Sequence, residues 1–271
     1  WSSDVCSSDL RLMDLAARSL QMKRKVCTRL LDGGLFPYTR RYLGNFDNHF
    51  NTIGLVGMNE CALNFMGASI ADAEGKKFAE EVLDHMRQRL QDYQEATGEL
   101  YNLEATPAES TCYRLAKKAQ KVAPEIIVSG NKEPYFTNST QLPVGFTDDL
   151  FEALSHQDDL QVQYTGGTVL HGFLGEQIED WTVARDLVRK VFTRFKLPYF
   201  SLTPTFSLCS DHGYLAGEQF TCPHCRKDTE VWTRVTGFYR PVQAYNPGKS
   251  QEFRDRLEYS LQTENLLDIA V

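Results

Sequence analysis

Cys209-Ser-Asp-His212, Cys222-Pro-His-Cys225 and Thr233-Arg-Val-Thr-Gly237-Phe-Tyr-Arg-Pro241 follow one another in the last quarter of the chain. Zinc takes four soft or borderline ligands in a tetrahedron, and a two-residue gap lets both members of a pair reach one ion from a tight turn. Cys209, His212, Cys222 and Cys225 therefore make a Cys3His set, with Gly213, Gly217 and Pro223 supplying turns around it. The insert between the pairs is short enough to fold as a hairpin over the ion. Four protein ligands leave no open position, so the expected role is structural. The competing reading is a Cys222–Cys225 disulfide, which reduced thiols in a chain without a secretory segment argue against. His224 lies inside the Cys-x-x-Cys turn and is expected to point away.

Downstream, Thr229, Val231, Thr233 and Val235 would share one face of an extended chain, opposite Glu230, Trp232, Arg234 and Thr236. That β-branched face predicts a strand running into a tight turn at Gly237. Two readings of this glycine stand side by side. It can supply a positive φ or a close backbone approach. Alternatively it can carry a Cα radical, which its flanking amides stabilise only when the centre is planar and free of a side chain. Glycine would then also let the loop enter a crowded interior.

At 271 residues and 42% hydrophobic the chain has material for a sizeable core. A net charge of −7 argues against bulk nucleic-acid binding. No apolar run approaches the ~20 residues of a membrane span, and no signal peptide is evident, so a cytoplasmic protein is expected. The chain opens on Trp1 rather than Met and is read as part of a longer product. Residues 1–10 form a low-complexity stretch, read as a non-native segment, and Cys6 is set aside with it. Beyond it, Phe78, Val82, Met86, Leu90 and Tyr93 predict an amphipathic helix over 72–95. A second helix is predicted over Asp180–Phe195 from Trp181, Ala184, Leu187, Val188, Val191 and Phe195. Glu125–Val128 and Pro198–Leu202 read as strands. The alternation predicts an α/β fold.

Three further segments could carry chemistry. Gly44 to Glu60 combines hydrophobic residues, repeated glycines and a terminal Asn59-Glu60. Glu60 could be a buried acid/base at a strand tip, or simply an acidic residue in the first turn of a helix. In Asn102 to Ala116, Thr106-Pro107 reads as an N-cap and first helical residue. The amides of Ala108, Glu109, Ser110 and Thr111 would then face outward, as at a phosphate site or in a plain capped helix. Tyr135 to Val144 and Thr165-Gly-Gly-Thr168 read as polar loops.

These motifs together resemble the anaerobic (class III) ribonucleoside-triphosphate reductases. Arg234-Val-Thr-Gly237-Phe is similar to their glycine loop, with Phe238 in place of a more usual Tyr. Ile53-Gly-x-x-Gly57-x-Asn-Glu60 is similar to their active-site element. Many members of the family use four cysteines at the zinc site, where this chain has His212. The resemblance implies that residues 11–202 are the C-terminal part of a ten-stranded α/β barrel and residues 203–271 a zinc module with the radical loop. It implies Gly237 as the stored glycyl radical, Glu60 as acid/base, and Ala108 to Thr111 as the substrate's phosphate turn.

Further implications concern partners. A radical-SAM activating protein with an iron–sulfur cluster would generate the radical using S-adenosylmethionine. The substrate would be a ribonucleoside triphosphate, the reductant formate or a protein dithiol, and the full-length enzyme a homodimer. The thiyl cysteine is expected upstream, since Cys27, Cys61 and Cys112 lack a matching context, so the chain alone is expected to be inactive. Two other classes are weighed against this one. A formate-lyase or diol-dehydratase relative is disfavoured by the zinc ligands ahead of the glycine. A zinc-ribbon nucleic-acid binder is disfavoured because Asp211, Glu218, Asp228 and Glu230 dilute Arg226, Lys227 and Arg234.

Overall fold

The computed structural model describes residues 3–175 and 177–260, with only the backbone course given for residues 3–10. Cys6 and the end of the predicted zinc module, residues 261–271, therefore lie outside the side chains described. Along the chain run α1 (Ser3–Asp32), α2 (Pro37–Tyr42), β1 (Asn51–Leu55), α3 (Met58–Met66), α4 (Ala73–Thr97), β2 (Tyr101–Ala105), α5 (Glu109–Val122), α6 (Leu150–Gln161), β3 (Leu170–Leu174), α7 (Trp181–Arg194) and β4 (Phe200–Pro204). There follow β5 (Phe206–Cys209), β6 (Gly213–Ala216), β7 (Glu230–Arg234), β8 (Tyr239–Pro241), a 3-10 turn (Val242–Ala244) and α8 (Pro247–Asp255).

The mixed α/β reading holds. β1 and β2 pair in parallel, Ile53 opposite Leu103, across a helical crossover made by α3 and α4. β3 and β4 pair in parallel across α7, Gly172 opposite Leu202. Parallel neighbours need such a crossover, which is why the helices come between the paired strands. The Thr165–Thr168 loop extends β2 by a parallel bridge from Gly167 to Glu104. β6, β5, β7 and β8 form a separate antiparallel sheet in that order.

Predicted α4 forms one residue later than expected and ends on left-handed Gly98. Phe78, Met86, Leu90 and Tyr93 are buried there against Ile53 and Leu103, with Val82 partly buried beside them. Truncating a buried leucine such as Leu83 or Leu103 to alanine costs about 2–5 kcal/mol. In α7 the Asp180 carboxylate caps the Thr182 amide at 2.8 Å. Only Leu187 and Val191 of its predicted stripe are buried, while Trp181 and Val188 are exposed.

Two strand expectations change. Glu125–Val128 makes no strand, because the Asn64 side-chain amide takes both backbone groups of Ile127, each at 2.8 Å. A side chain there occupies the place of a neighbouring strand. The second predicted strand forms, shifted to Phe200–Pro204.

Candidate functional site

The four predicted metal ligands come together. Ligand atoms of Cys209, His212, Cys222 and Cys225 all lie within 4.8 Å of one another. Cys209 Sγ is 3.6 Å from Cys225 Sγ and 3.7 Å from His212 Nδ1, and Cys222 Sγ is 3.5 Å from the same nitrogen. Two ligands each about 2.3 Å from a tetrahedral zinc stand about 3.8 Å apart, so these edges fit the ion. All three cysteines are free thiols, which rules out the Cys222–Cys225 disulfide.

Local structure explains the convergence. Cys209 and His212 straddle the turn of the β5–β6 hairpin, which the chain leaves through left-handed Gly213. Cys222 and Cys225 sit in a knuckle closed by the Cys222 amide to the Lys227 carbonyl, 2.8 Å, with Arg226 at φ +59. A hydrogen bond from the Asp211 amide, then the His212 ring, draws the Cys209 thiol below its usual range. That favours the thiolate a metal needs. His224 stays outside the cluster, its ring centroid 5.1 Å from that of His212. Lys227 is held 2.6 Å from Asp211, so the knuckle presents no simple basic face.

β7 leads from this module into the glycine loop with Thr229, Val231, Thr233 and Val235 buried as predicted, while Thr236, expected on the opposite face, is buried as well. The turn closes when the Val235 amide donates to the Phe238 carbonyl at 3.2 Å. Arg234 Nη1 also donates to the Gly237 carbonyl at 2.6 Å. Gly237 itself is exposed, its φ is not in the left-handed region, and a β-carbon there would meet no atom within 4 Å. Among the described residues, neither a positive φ nor a close backbone approach accounts for the glycine. The loop is not crowded among them either.

The residues just before Gly237 face a cavity of about 100 Å³. Val235 and Thr236 line it on one side, Thr106 and Pro107 on another, and the Thr137–Val144 segment on a third. Three of the predicted segments thus meet at one place. Gly54 serves this arrangement, since a β-carbon there would fall 1.5 Å from Thr106 Oγ1.

Glu60 stands behind the wall. It occupies the first turn of α3, in keeping with the helix reading rather than a strand tip, and is 1% exposed. Its carboxylate accepts hydrogen bonds from Thr137 N at 3.0 Å, Thr137 Oγ1 at 2.7 Å and Ser129 Oγ at 2.5 Å. Thr137 is therefore its contact with the cavity.

The predicted phosphate turn starts later than expected. Ala108, not Thr106, is the N-cap of α5, and it offers no side-chain cap. The Glu109 amide reaches back to the Pro107 carbonyl at 3.2 Å. Of the four residues, Ala108 is buried and Ser110 exposed. Glu109 Oε1 is paired with Arg240 at 2.8 Å.

Several cavity residues escaped the sequence reading. His171 Nδ1 lies 2.6 Å from Ser201 Oγ, and the ring hydrogen-bonds the Thr236 backbone carbonyl. Burial, reinforced by the Arg234 and Arg256 charges, pushes its pKa down to about 4. Burial pushes Tyr259 up to about 12. Glu252 and Arg256 come from α8 and its end, joining the wall from far along the chain. A lone histidine and arginine carry no spacing signal, so only tertiary structure reveals them. Cys112 is buried, its thiol pushed up to about 12 by burial, and donates to Asn138 Oδ1 at 3.3 Å.

A family model described as anaerobic ribonucleoside-triphosphate reductase matches residues 8–259. A curated protein of that name from Haemophilus influenzae is 22% identical over 221 residues, covering 77% of this chain and 31% of the relative. Its Escherichia coli counterpart is 23% identical over 227 residues, with the same coverage. The chain thus spans about a third of the length of these relatives. A solved anaerobic ribonucleotide reductase superposes with TM-score 0.77 at 24% identity, over 93% of this chain and 41% of the other. The Thermotoga maritima enzyme with MES in its active site gives 0.70 at 24% identity, over 88% and 40%.

Proposed function

The chain belongs to the anaerobic ribonucleoside-triphosphate reductase family, and from that membership we propose that it is the part of such a reductase carrying the glycine radical loop and one wall of the substrate cavity. The observation that carries this reading is the meeting of Val235–Thr236 with Thr106–Pro107 and Thr137–Val144 around one cavity. A glycine that the described residues do not require, at the tip of a loop whose flank faces that cavity, supports a role for it in the chemistry.

In this reading Gly237 stores a radical made by a radical-SAM activating protein with its iron–sulfur cluster. The radical passes to a cysteine of the longer protein, which takes the 3′ hydrogen of a ribonucleoside triphosphate. Water then leaves C2′, and formate or a protein dithiol supplies the two electrons. Glu60, acting through Thr137, is the candidate acid/base of the dehydration. The free amides at the start of α5, chiefly Ser110 and Thr111, would receive phosphate oxygens with help from the helix dipole. Ala108 and Glu109 would shape the turn.

The two parallel β-α-β units fit the C-terminal part of a ten-stranded barrel, with the zinc module holding β7 and the loop against it. Cys209, His212, Cys222 and Cys225 would hold a structural Zn2+, which stabilises the hairpins and takes no part in the reaction. Residues 11–202 and 203–271 are proposed as these two parts, the full-length enzyme as a homodimer. Neither a nucleic-acid-binding nor a dehydratase reading finds a supporting observation.

The deciding experiment uses the full-length protein with activase, S-adenosylmethionine, reductant and a ribonucleoside triphosphate under anaerobic conditions. Deoxyribonucleotide should form, and should not form with Gly237→Ala. Turnover that survives this substitution would overturn the proposal.

A further inference from the structure

Two peptide groups join Gly237 to its neighbours, and the carbonyl of each is held by a side chain. On the C-terminal side, Arg234 Nη1 donates to the Gly237 carbonyl at 2.6 Å, short as charge-assisted hydrogen bonds are. On the N-terminal side, the His171 ring hydrogen-bonds the Thr236 carbonyl. A carbonyl only accepts, so the ring is the donor. His171 lies opposite Ser201 in the β3–β4 pair, with Nδ1 2.6 Å from Ser201 Oγ, which holds the ring in place. His171 and Thr236 line the same cavity.

Arg234 is set up for this one contact. It faces Tyr239 across the β7–β8 pair, its guanidinium carbon 4.9 Å from the centre of that ring, which steadies the plane of the fork. It enters no ion pair among the described residues. Its charge is therefore not spent on a carboxylate. The turn has its own backbone closure, from the Val235 amide to the Phe238 carbonyl at 3.2 Å, and does not need a guanidinium to form. His171, its pKa pushed down to about 4 by burial, is neutral at ordinary pH. The two donors thus differ: a cation on the Gly237 carbonyl and a neutral ring on the Thr236 carbonyl.

We propose that Arg234 is a positioning residue for the radical, holding the Gly237 carbonyl in the plane of the α-carbon and drawing unpaired spin onto the carbonyl oxygen. The inference rests on the radical reading of Gly237. When a hydrogen atom leaves Cα, the electron left behind spreads onto the adjacent carbonyl only if that carbonyl is coplanar with the centre. A cationic donor at the oxygen favours the charge-separated form in which that oxygen is negative, in the way preorganised donors stabilise developing charge elsewhere. His171 anchors the other peptide without adding charge, so the pull is one-sided, toward the Gly237 carbonyl. Lysine at 234 would keep the charge but lose the stacked fork, and glutamine would keep only a neutral donor.

The test uses the full-length protein labelled with 15N-arginine and activated anaerobically with activase, S-adenosylmethionine and reductant. Electron–nuclear double resonance on the glycine doublet of the wild type should show a coupling to an arginine nitrogen. It should also show a proton coupling that disappears in deuterated water. In Arg234→Gln the nitrogen coupling should be lost and the α-hydrogen splitting should widen, because more spin stays on Cα. Arg234→Lys should bring the splitting back toward the wild-type value. A wild-type doublet without an arginine coupling, or an Arg234→Gln doublet with unchanged splitting, overturns the role of Arg234 and leaves the radical reading standing. A wild type that gives no glycine doublet overturns the radical reading, and the role of Arg234 falls with it. The nitrogen coupling is read on the wild type, so a variant that cannot be activated does not spoil the measurement. A second measure needs no radical: in the unactivated chain the Gly237 carbonyl 13C resonance, assigned by its loss in Gly237→Ala, should move upfield in Arg234→Ala. An unmoved resonance would overturn the contact itself.

Discussion

Arg240 Nη1 donates to Glu109 Oε1 at 2.8 Å, tying the strand that leaves the glycine loop to the start of α5 across 131 residues of sequence. The pair is partly exposed, 40% and 23% at the two side chains, so its direct contribution to stability is at most about 1 kcal/mol. Arg240→Ala should therefore unfold at nearly the same denaturant concentration as the wild type. Its consequence should be local: faster amide exchange over residues 235–239 and at the first turn of α5. A large stability loss with no local change would mean that the pair is structural and unconnected to the loop.

The metal ligands make the next prediction. Protein expressed with ample zinc should carry about one zinc per chain, and Cys222→Ser should lower that content sharply. Closed four-ligand sites contribute folding free energy, so chelation should expose residues 206–231 to amide exchange well before the α4 core. Full metal content in Cys222→Ser would remove Cys222 from the site.

Glu60 receives three donors in a buried setting. Each buried donor left without an acceptor costs about 1–3 kcal/mol, so Glu60→Ala should destabilise by at least about 3 kcal/mol in chemical denaturation. Glu60→Gln keeps one carbonyl acceptor and should cost clearly less. The full-length Gln variant, still folded and substrate-binding, should lose turnover if Glu60 is the acid/base. Retained turnover would leave it as the link between α3 and the cavity wall.

How much of this was legible in the sequence follows from what kind of interaction holds each part. The zinc ligands, α4 and the β7 face are short-range: turn spacing and helical or strand period name the residues directly. α5 starts two residues later than the cap chemistry of Thr106-Pro107 predicts. Tertiary packing over Gly54 turned Thr106 toward the cavity instead. The Glu125–Val128 strand failed for a similar reason, since Asn64, far upstream, took its backbone groups. His171 and Arg256 were invisible because nothing local marks a residue that becomes important only when distant segments meet.

His171 predicts a pH dependence. Its folded pKa, about 4, lies below the ordinary value of 6.5, so between these limits the unfolded chain binds more protons than the folded one. Stability then rises with pH through this window and is lost as pH falls toward 4. One such group contributes a slope of up to about 1.4 kcal/mol per pH unit, reduced by whatever solvent reaches the ring. His156, also lowered by burial, adds to it in the same direction. Comparing zinc-saturated wild type with His171→Gln should show the slope reduced by close to one proton. Equal slopes would mean that His171 titrates normally.

Gly237 gives the prediction that separates chemistry from architecture. Its φ is not left-handed and a β-carbon would touch nothing within 4 Å, so Gly237→Ala should fold normally in this chain. Removing glycine's freedom in the unfolded state should even stabilise it slightly, by about 0.4–1 kcal/mol. The zinc content should be unchanged. In the full-length enzyme with activase, S-adenosylmethionine and reductant, anaerobic activation of the wild type should produce a doublet in EPR, from the single hydrogen left on the radical carbon. The alanine variant should show no such glycine-centred doublet. On exposure to air, oxygen adds to the Cα radical and the peroxyl product breaks the backbone there, which mass spectrometry should locate at Gly237. A variant that is folded, zinc-loaded and silent by EPR would assign the glycine to radical storage. An activated wild type that stays whole in air, or is cut at another residue, would leave Gly237 as an ordinary loop residue.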